Sequence, residues 1–223
     1  MDKGTRWVLF FTTLPDARLY IKFAAMVARL CLFIVCCLIG MTLSAQTSDT
    51  LYNKLADFNL AQLNGDTYGA LLLGKEILTD TGRMTAKQRS NFIDRMAKAY
   101  EDNGEDDKAL PLYLEVAAAE PDYFVAQRAI GYLYNDKAEE IQLKLYITPK
   151  AAPDYSALRE SYKNAVLKAL PHLEKAQACD PDDDTLDLVK TLYQNIGDER
   201  AVNSLDDRLS RLSKKCKDVL DDK

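Results

Sequence analysis

Two stretches, ALPLYLEVAAAEP (Ala109–Pro121) and ALPHLEKAQACDP (Ala169–Pro181), carry the same pattern 60 residues apart. Both open on alanine-leucine-proline and close on an acidic residue and proline. In the first, Ala109, Leu110, Tyr113, Val116 and Ala117 recur at three- and four-residue spacing, which places them on one helix face, and Pro121 stops the helix. A preceding helix is marked in the same way by Ile93, Met96, Ala97 and Tyr100. Gly104 stands between them, where two antiparallel helices must turn tightly. Ser90–Pro121 therefore reads as a helical hairpin. A chain that writes such a unit more than once is constrained to stack hairpins on one another.

The second clear copy begins at Phe124, where Ile130, Gly131 and Tyr134 repeat Met96, Ala97 and Tyr100 at an interval of 34 residues. Small, aromatic, glycine, alanine, large apolar and proline at these offsets resemble the tetratricopeptide repeat. The resemblance implies an all-α, right-handed solenoid of three to four helical hairpins, a binding surface without catalysis. Leu51, Leu55, Phe58 and Ala61, then Asn64-Gly65, then Tyr68, Ala70, Leu71, Leu73, Ile77 and Leu78 form a degenerate first hairpin without the closing proline. Thr85 and Gln88 have the spacing of a capping box that opens the next helix. A weaker last unit keeps Leu186, Val189, Tyr193 and Gly197. Beyond it Val202, Leu205, Leu209, Leu212, Cys216 and Val219 alternate by three and four. That narrow stripe predicts a C-terminal capping helix, although a short coiled coil would use the same stripe.

The closing prolines are 60 residues apart and not 34, so the second copy carries 26 extra residues between its helices. Ala138, Ile141, Leu143 and Leu145 continue its first helix, Thr148-Pro149 and Ala152-Pro153-Asp154 turn, and Leu158, Tyr162, Ala165 and Val166 run helically into Leu170. The reading is one extended hairpin, each helix longer by about two to three turns. Its neighbours have no equal length to cover it. Leu145, Tyr146, Ile147, Tyr155, Leu158 and Tyr162 are its candidate partner-binding residues, because apolar, tyrosine-rich surface marks protein interfaces.

Leu30–Leu43 holds no charged residue, follows Arg29, and leads into Ser44-Ala45. Its length suits a secretory signal peptide and is short for a spanning helix. The expected organisation is a signal peptide with an N-terminal extension over residues 1–45, cleaved after Ala45, and a solenoid over 46–223. An uncleaved inner-membrane anchor is the alternative, and the only membrane attachment expected. Met26 would begin a compact signal peptide and is read as the true start.

Residues 1–45 hold five basic and two acidic side chains, so the remainder of a chain of net charge −5 carries −8. Such a surface repels phosphate backbones, and nucleic acid is not an expected partner. Only Cys179 and Cys216 lie in the body. Two cysteines make neither a disulfide framework nor a zinc set; they read as free or buried thiols, with a single bridge in an oxidising compartment as the alternative.

No residue pattern marks catalysis. His172 is the only histidine, with no partner or nucleophile marked by sequence. Asp180, Asp182 and Asp184 alternate like the start of a calcium loop, but Thr185 and Thr191 stand where glycine and glutamate are needed. The better reading is aspartates capping the next helix. No cofactor is expected.

What the resemblance implies about binding is a concave groove lined by the first helices of successive hairpins. Carried over, its ligand-facing positions are Asn91, Asp94, Lys98, Glu101 and Asp102; Val125, Arg128, Tyr132, Asn135 and Asp136; and Asp184, Asp187, Thr191, Gln194 and Asn195. The lysine and asparagine with which some family members clamp a C-terminal carboxylate are absent: Asp94 with Lys98 and Arg128 with Tyr132 stand there. The expected function is a non-catalytic scaffold or adaptor of the bacterial envelope, taking an extended peptide or a partner helix. A periplasmic assembly factor gripping unfolded clients is the alternative, and an enzyme the second.

Overall fold

The computed structural model describes residues 50–220. The chain divides into Met1–Tyr52, of which only residues 50–52 are described, and a helical body, Asn53–Lys223. The leader and the expected cleavage point lie outside the described residues.

The regular elements of the described chain are helices. They are α1 (50–63), α2 (Thr67–Leu78), α3 (Ala86–Asp102), α4 (Asp106–Ala119), α5 (Phe124–Ile147), α6 (Tyr155–Cys179), α7 (Asp183–Asn195), α8 (Glu199–Asn203) and α9 (Leu205–Leu212). Helices α2 to α9 each pack on their neighbours in sequence, and α9 also packs back on α6. This is an all-α solenoid of antiparallel hairpins.

The hairpin turns show why the units repeat. After α3, Gly104 sits at φ +71°, its N–H donates to Glu101 O at 2.8 Å, and Glu105 N donates to Tyr100 O at 2.9 Å. This closure satisfies helix-end carbonyls and needs a left-handed residue, which costs an L side chain about 1–2 kcal/mol. Gly65 after α1 and Gly197 after α7 make the same pair of bonds, to Gln62 and Ala61 and to Gln194 and Tyr193 through the following aspartate. The hairpin of α5 and α6 lacks this turn because α5 runs on for 24 residues and α6 for 25, against 17 and 14 in α3 and α4.

Helix starts follow their caps. Thr85 and Gln88 form the reciprocal capping box of α3. Asp182 caps α7 through Thr185 N at 2.9 Å, with Asp183 and Asp184 in the first turn beside the positive helix end. Asp180 instead pairs with Arg128 at 2.8 Å. Helices α4 and α6 continue through Pro111 and Pro171.

The periodic apolar residues form the core. Phe58, Ile77, Ile93, Met96, Val116, Ile130, Val166, Leu173 and Val189 are fully buried, each stabilising the fold by about 1.5–3 kcal/mol. Phe58 meets Phe92 edge to face at 5.3 Å, joining the first two hairpins. Gly131 lets α5 and α6 approach closely: a Cβ there would stand 2.7 Å from Leu173 Cγ and Cδ2 and 3.1 Å from its backbone nitrogen.

The C-terminal end differs from the sequence reading in two respects. A single helix over Val202–Val219 is expected, but α8 and α9 are separate short helices and the second stops at Leu212. The cap itself is present: Leu205 is buried, and Arg208 reaches Glu174 of α6 at 2.6 Å and lies over the Tyr193 ring. Cys179 and Cys216 are not free thiols but are joined as a disulfide with Cα atoms 5.4 Å apart. Closing a loop across 37 residues stabilises the fold by about 4 kcal/mol on the chain-entropy model. The bridge is consistent with the early helix stop. A helix continued past Leu212 would carry Cys216 away from the end of α6.

Candidate functional site

The groove positions carried over from the repeat pattern occupy α3, α5 and α7, and most are already engaged within the chain. Asp94 accepts from the Tyr123 hydroxyl at 3.1 Å. Burial raises its pKa from 3.8 to about 6, against the opposing pull of that hydrogen bond. Glu101 accepts from the Tyr113 hydroxyl at 2.6 Å, and burial together with that carboxylate pushes Tyr113 up. Lys98 pairs with Asp102 on the solvent side of α3. Val125 is exposed, and Arg128 forks onto the carboxylate and carbonyl of Asp180, both at 2.8 Å. The Tyr132 hydroxyl lies 2.8 Å from Thr185 Oγ1. Asn135 is buried and donates to Glu139 at 2.7 Å. The pKa of Asp136 is raised by partial desolvation and by the neighbouring Glu139 and Asp106. On α7, Asp184, Asp187, Thr191 and Gln194 are exposed, while Asn195 donates to the Tyr162 hydroxyl at 3.1 Å.

Among the described residues, three buried side-chain atoms have no hydrogen-bond partner: Asp94 Oδ1, Arg128 Nε and Asn135 Oδ1. All three belong to groove positions. A buried acceptor or donor left unpaired costs about 1–3 kcal/mol.

The structure adds a component that sequence reasoning missed. After α9 the chain turns back in extended form. Lys217 N donates to Asp122 O at 2.8 Å, Phe124 N donates to Lys217 O at 3.0 Å, and Tyr123 and Lys217 form an isolated parallel bridge. Asn91 Nδ2 then donates to Leu220 O at 2.8 Å, and the Leu220 side chain is buried. Lys175, itself buried, pairs with Asp122 at 3.0 Å and donates to the carbonyls of Leu212 and Lys215. Lys217 Nζ pairs with Glu120 at 2.8 Å. A buried lysine in a second helix was the one available signal, and three- and four-residue spacing through Val219 masked it.

The extended hairpin sorts its candidates by depth. Tyr162 is buried and belongs to the core beside Val166 and Leu192. Leu145, Tyr155 and Leu158 are half-buried, Leu145 against that same core. Tyr146 and Ile147 are 90 % and 79 % exposed, with Leu143 at 70 %. The three occupy the last turns of α5, the part of the arm that nothing in the described chain covers. His172 is half-buried, its Nδ1 2.5 Å from Gln127 Oε1 and its ring stacked near Tyr134; burial lowers its pKa.

Antiparallel helix pairs stacked in sequence, three of their turns closed by a left-handed glycine, make the described chain a solenoid of helical hairpins. No family model matches the chain, and no curated protein matches it. Among solved structures it is similar to the MamA protein, at 15 % identity over 75 % of this chain and 94 % of that one, with a TM-score of 0.39. It is also similar to TPR-like repeats of a putative kinesin light chain from Podosopora anserina, at 17 % identity over 74 % and 95 %, TM-score 0.33. A third is BtubC (BKLC) from P. vanneervenii, at 16 % identity over 70 % and 77 %, TM-score 0.30.

Proposed function

We propose that the chain is a non-catalytic protein-interaction scaffold or adaptor of the bacterial cell envelope, with the end of the extended hairpin as its principal contact surface. The observation that carries this reading is the exposure of Leu143, Tyr146 and Ile147 together at the end of α5. Large apolar side chains clustered in solvent cost solubility, and such patches mark partner sites. Tyrosine suits the task because it presents apolar area with a polar tip. Export accords with the apolar leader, and the Cys179–Cys216 bridge accords with an oxidising compartment.

Replacing Leu143, Tyr146 and Ile147 together by serine leaves the core intact and should change stability by no more than about 0.5 kcal/mol per site. Affinity purification from envelope fractions should then lose the partner that the wild-type chain captures. Undiminished capture by the folded triple variant refutes the reading.

A further inference from the structure

The C-terminal tail engages the groove as a ligand would. From Lys217 to Leu220 it crosses from the start of α5 to α3. The main chain of Lys217 is held on both sides, by Asp122 O and Phe124 N, and the Leu220 carbonyl by the Asn91 amide. Leu220 is 7 % exposed and its neighbour Val219 is 55 % exposed. Main-chain bonds with one seated side chain and the next turned to solvent are how a surface holds an extended segment.

The tail is also fastened. Cys216, the residue before Lys217, is bonded to Cys179 at the end of α6. Cys216 is exposed and Cys179 half-exposed, so the bridge is open to thiolate attack.

We propose that Cys216–Leu220 is a tethered occupant of the groove's edge, latched by the Cys179–Cys216 disulfide. Releasing the latch hands the seat to an extended polypeptide segment of a partner. That segment offers main-chain groups to Asn91, Asp122 and Phe124 and a leucine to the Leu220 seat. A dithiol reductant opens the latch by exchange: it supplies two electrons and two protons, Cys179 and Cys216 become thiols, and the reductant leaves as its own disulfide. The inference rests on reading the chain as a partner-binding scaffold but uses a surface separate from the arm.

The test uses the body from residue 46 onward with its bridge intact, a Cys179→Ser/Cys216→Ser variant, and that variant with Leu220→Asp added. The probe is a fluorescent synthetic peptide of residues 213–220 with serine for cysteine. In the bridged protein the Phe124 amide should exchange slowly and the peptide should not bind at millimolar concentration. Without the bridge, Phe124 exchange should accelerate at least tenfold while Ile130 and Val166 keep their protection. The tail remains tethered at an effective concentration on the order of millimolar, so peptide binding should be strongest with Leu220→Asp and should fall at least tenfold when Asn91→Ala is added. Equal Phe124 exchange with and without the bridge overturns the latch. Peptide binding that ignores the bridge, or that fails even with Leu220→Asp, overturns the seat. The triple-serine arm variant should bind the peptide unchanged, so failure of the arm reading and failure of this one give different results.

Discussion

Replacing Gly131 by alanine measures how tightly the long hairpin is packed. The added Cβ would stand 2.7 Å from Cγ and Cδ2 of Leu173 and 3.1 Å from its backbone nitrogen. Carbon atoms prefer about 3.5–4.0 Å, so the contact is short by roughly 1 Å. Leu173 is fully buried, and the obstructing atoms include its branch point and backbone, so a rotamer change does not clear the space. The helices must separate, an overpacking cost of about 1–3 kcal/mol or more. Alanine recovers up to about 1 kcal/mol of helix propensity, leaving a net loss of up to about 2–3 kcal/mol. Leucine at the same position adds three more heavy atoms and should cost more. Gly74 is the internal control, also within a helix. A Cβ there meets Met96 Sδ at 2.4 Å and Phe58 Cε2 at 3.1 Å, and the flexible thioether end can move aside. Gly74→Ala should therefore cost less than Gly131→Ala. For a body of this size 1 kcal/mol shifts Tm by about 2–4 °C, within reach of calorimetry. A Gly131→Ala protein as stable as wild type, or one less perturbed than Gly74→Ala, refutes the close-packing argument.

Asp94 makes stability depend on pH. Its folded pKa, about 6, lies above the ordinary 3.8, so protons favour the native state. Its contribution to stability should be largest below pH 4, fall by about 2 kcal/mol as pH rises towards 6, and level off beyond. Asp94→Asn, which keeps an acceptor for Tyr123, should flatten that interval in urea titrations; an unchanged slope would count against the assignment. Arg208→Ala should cost about 3–5 kcal/mol, because it strands the Glu174 carboxylate, 6 % exposed, with the Tyr193 hydroxyl as its remaining close partner. Arg208→Lys should recover only part of this, since an ammonium cannot fork onto both oxygens, and a urea midpoint within error of wild type for either variant would contradict the buried pair.

Local periodicity and punctuation determined most of the fold. Apolar residues at three- and four-residue spacing placed α3, α4, α5 and α6, and Gly65, Gly104 and Gly197 stood at three equivalent turns because only the left-handed conformation closes those helix ends. Thr85 with Gln88 and Asp182 marked helix starts because caps are formed by residues close in sequence. The tertiary structure decided what depends on contacts across many residues. Three- and four-residue spacing does not say whether Cys216 and Val219 continue a helix or return as an extended tail. That was settled by a disulfide across 37 residues and by Asn91 meeting Leu220 across 129. Periodicity likewise assigned Tyr146 and Tyr162 the same apolar character. Only the packing of α5 against α6, with α7 closing over the base of the arm, buried Tyr162 and left Tyr146 in water. A helix pattern names the stripe that can be buried, and the neighbour's length decides how far along that stripe burial extends.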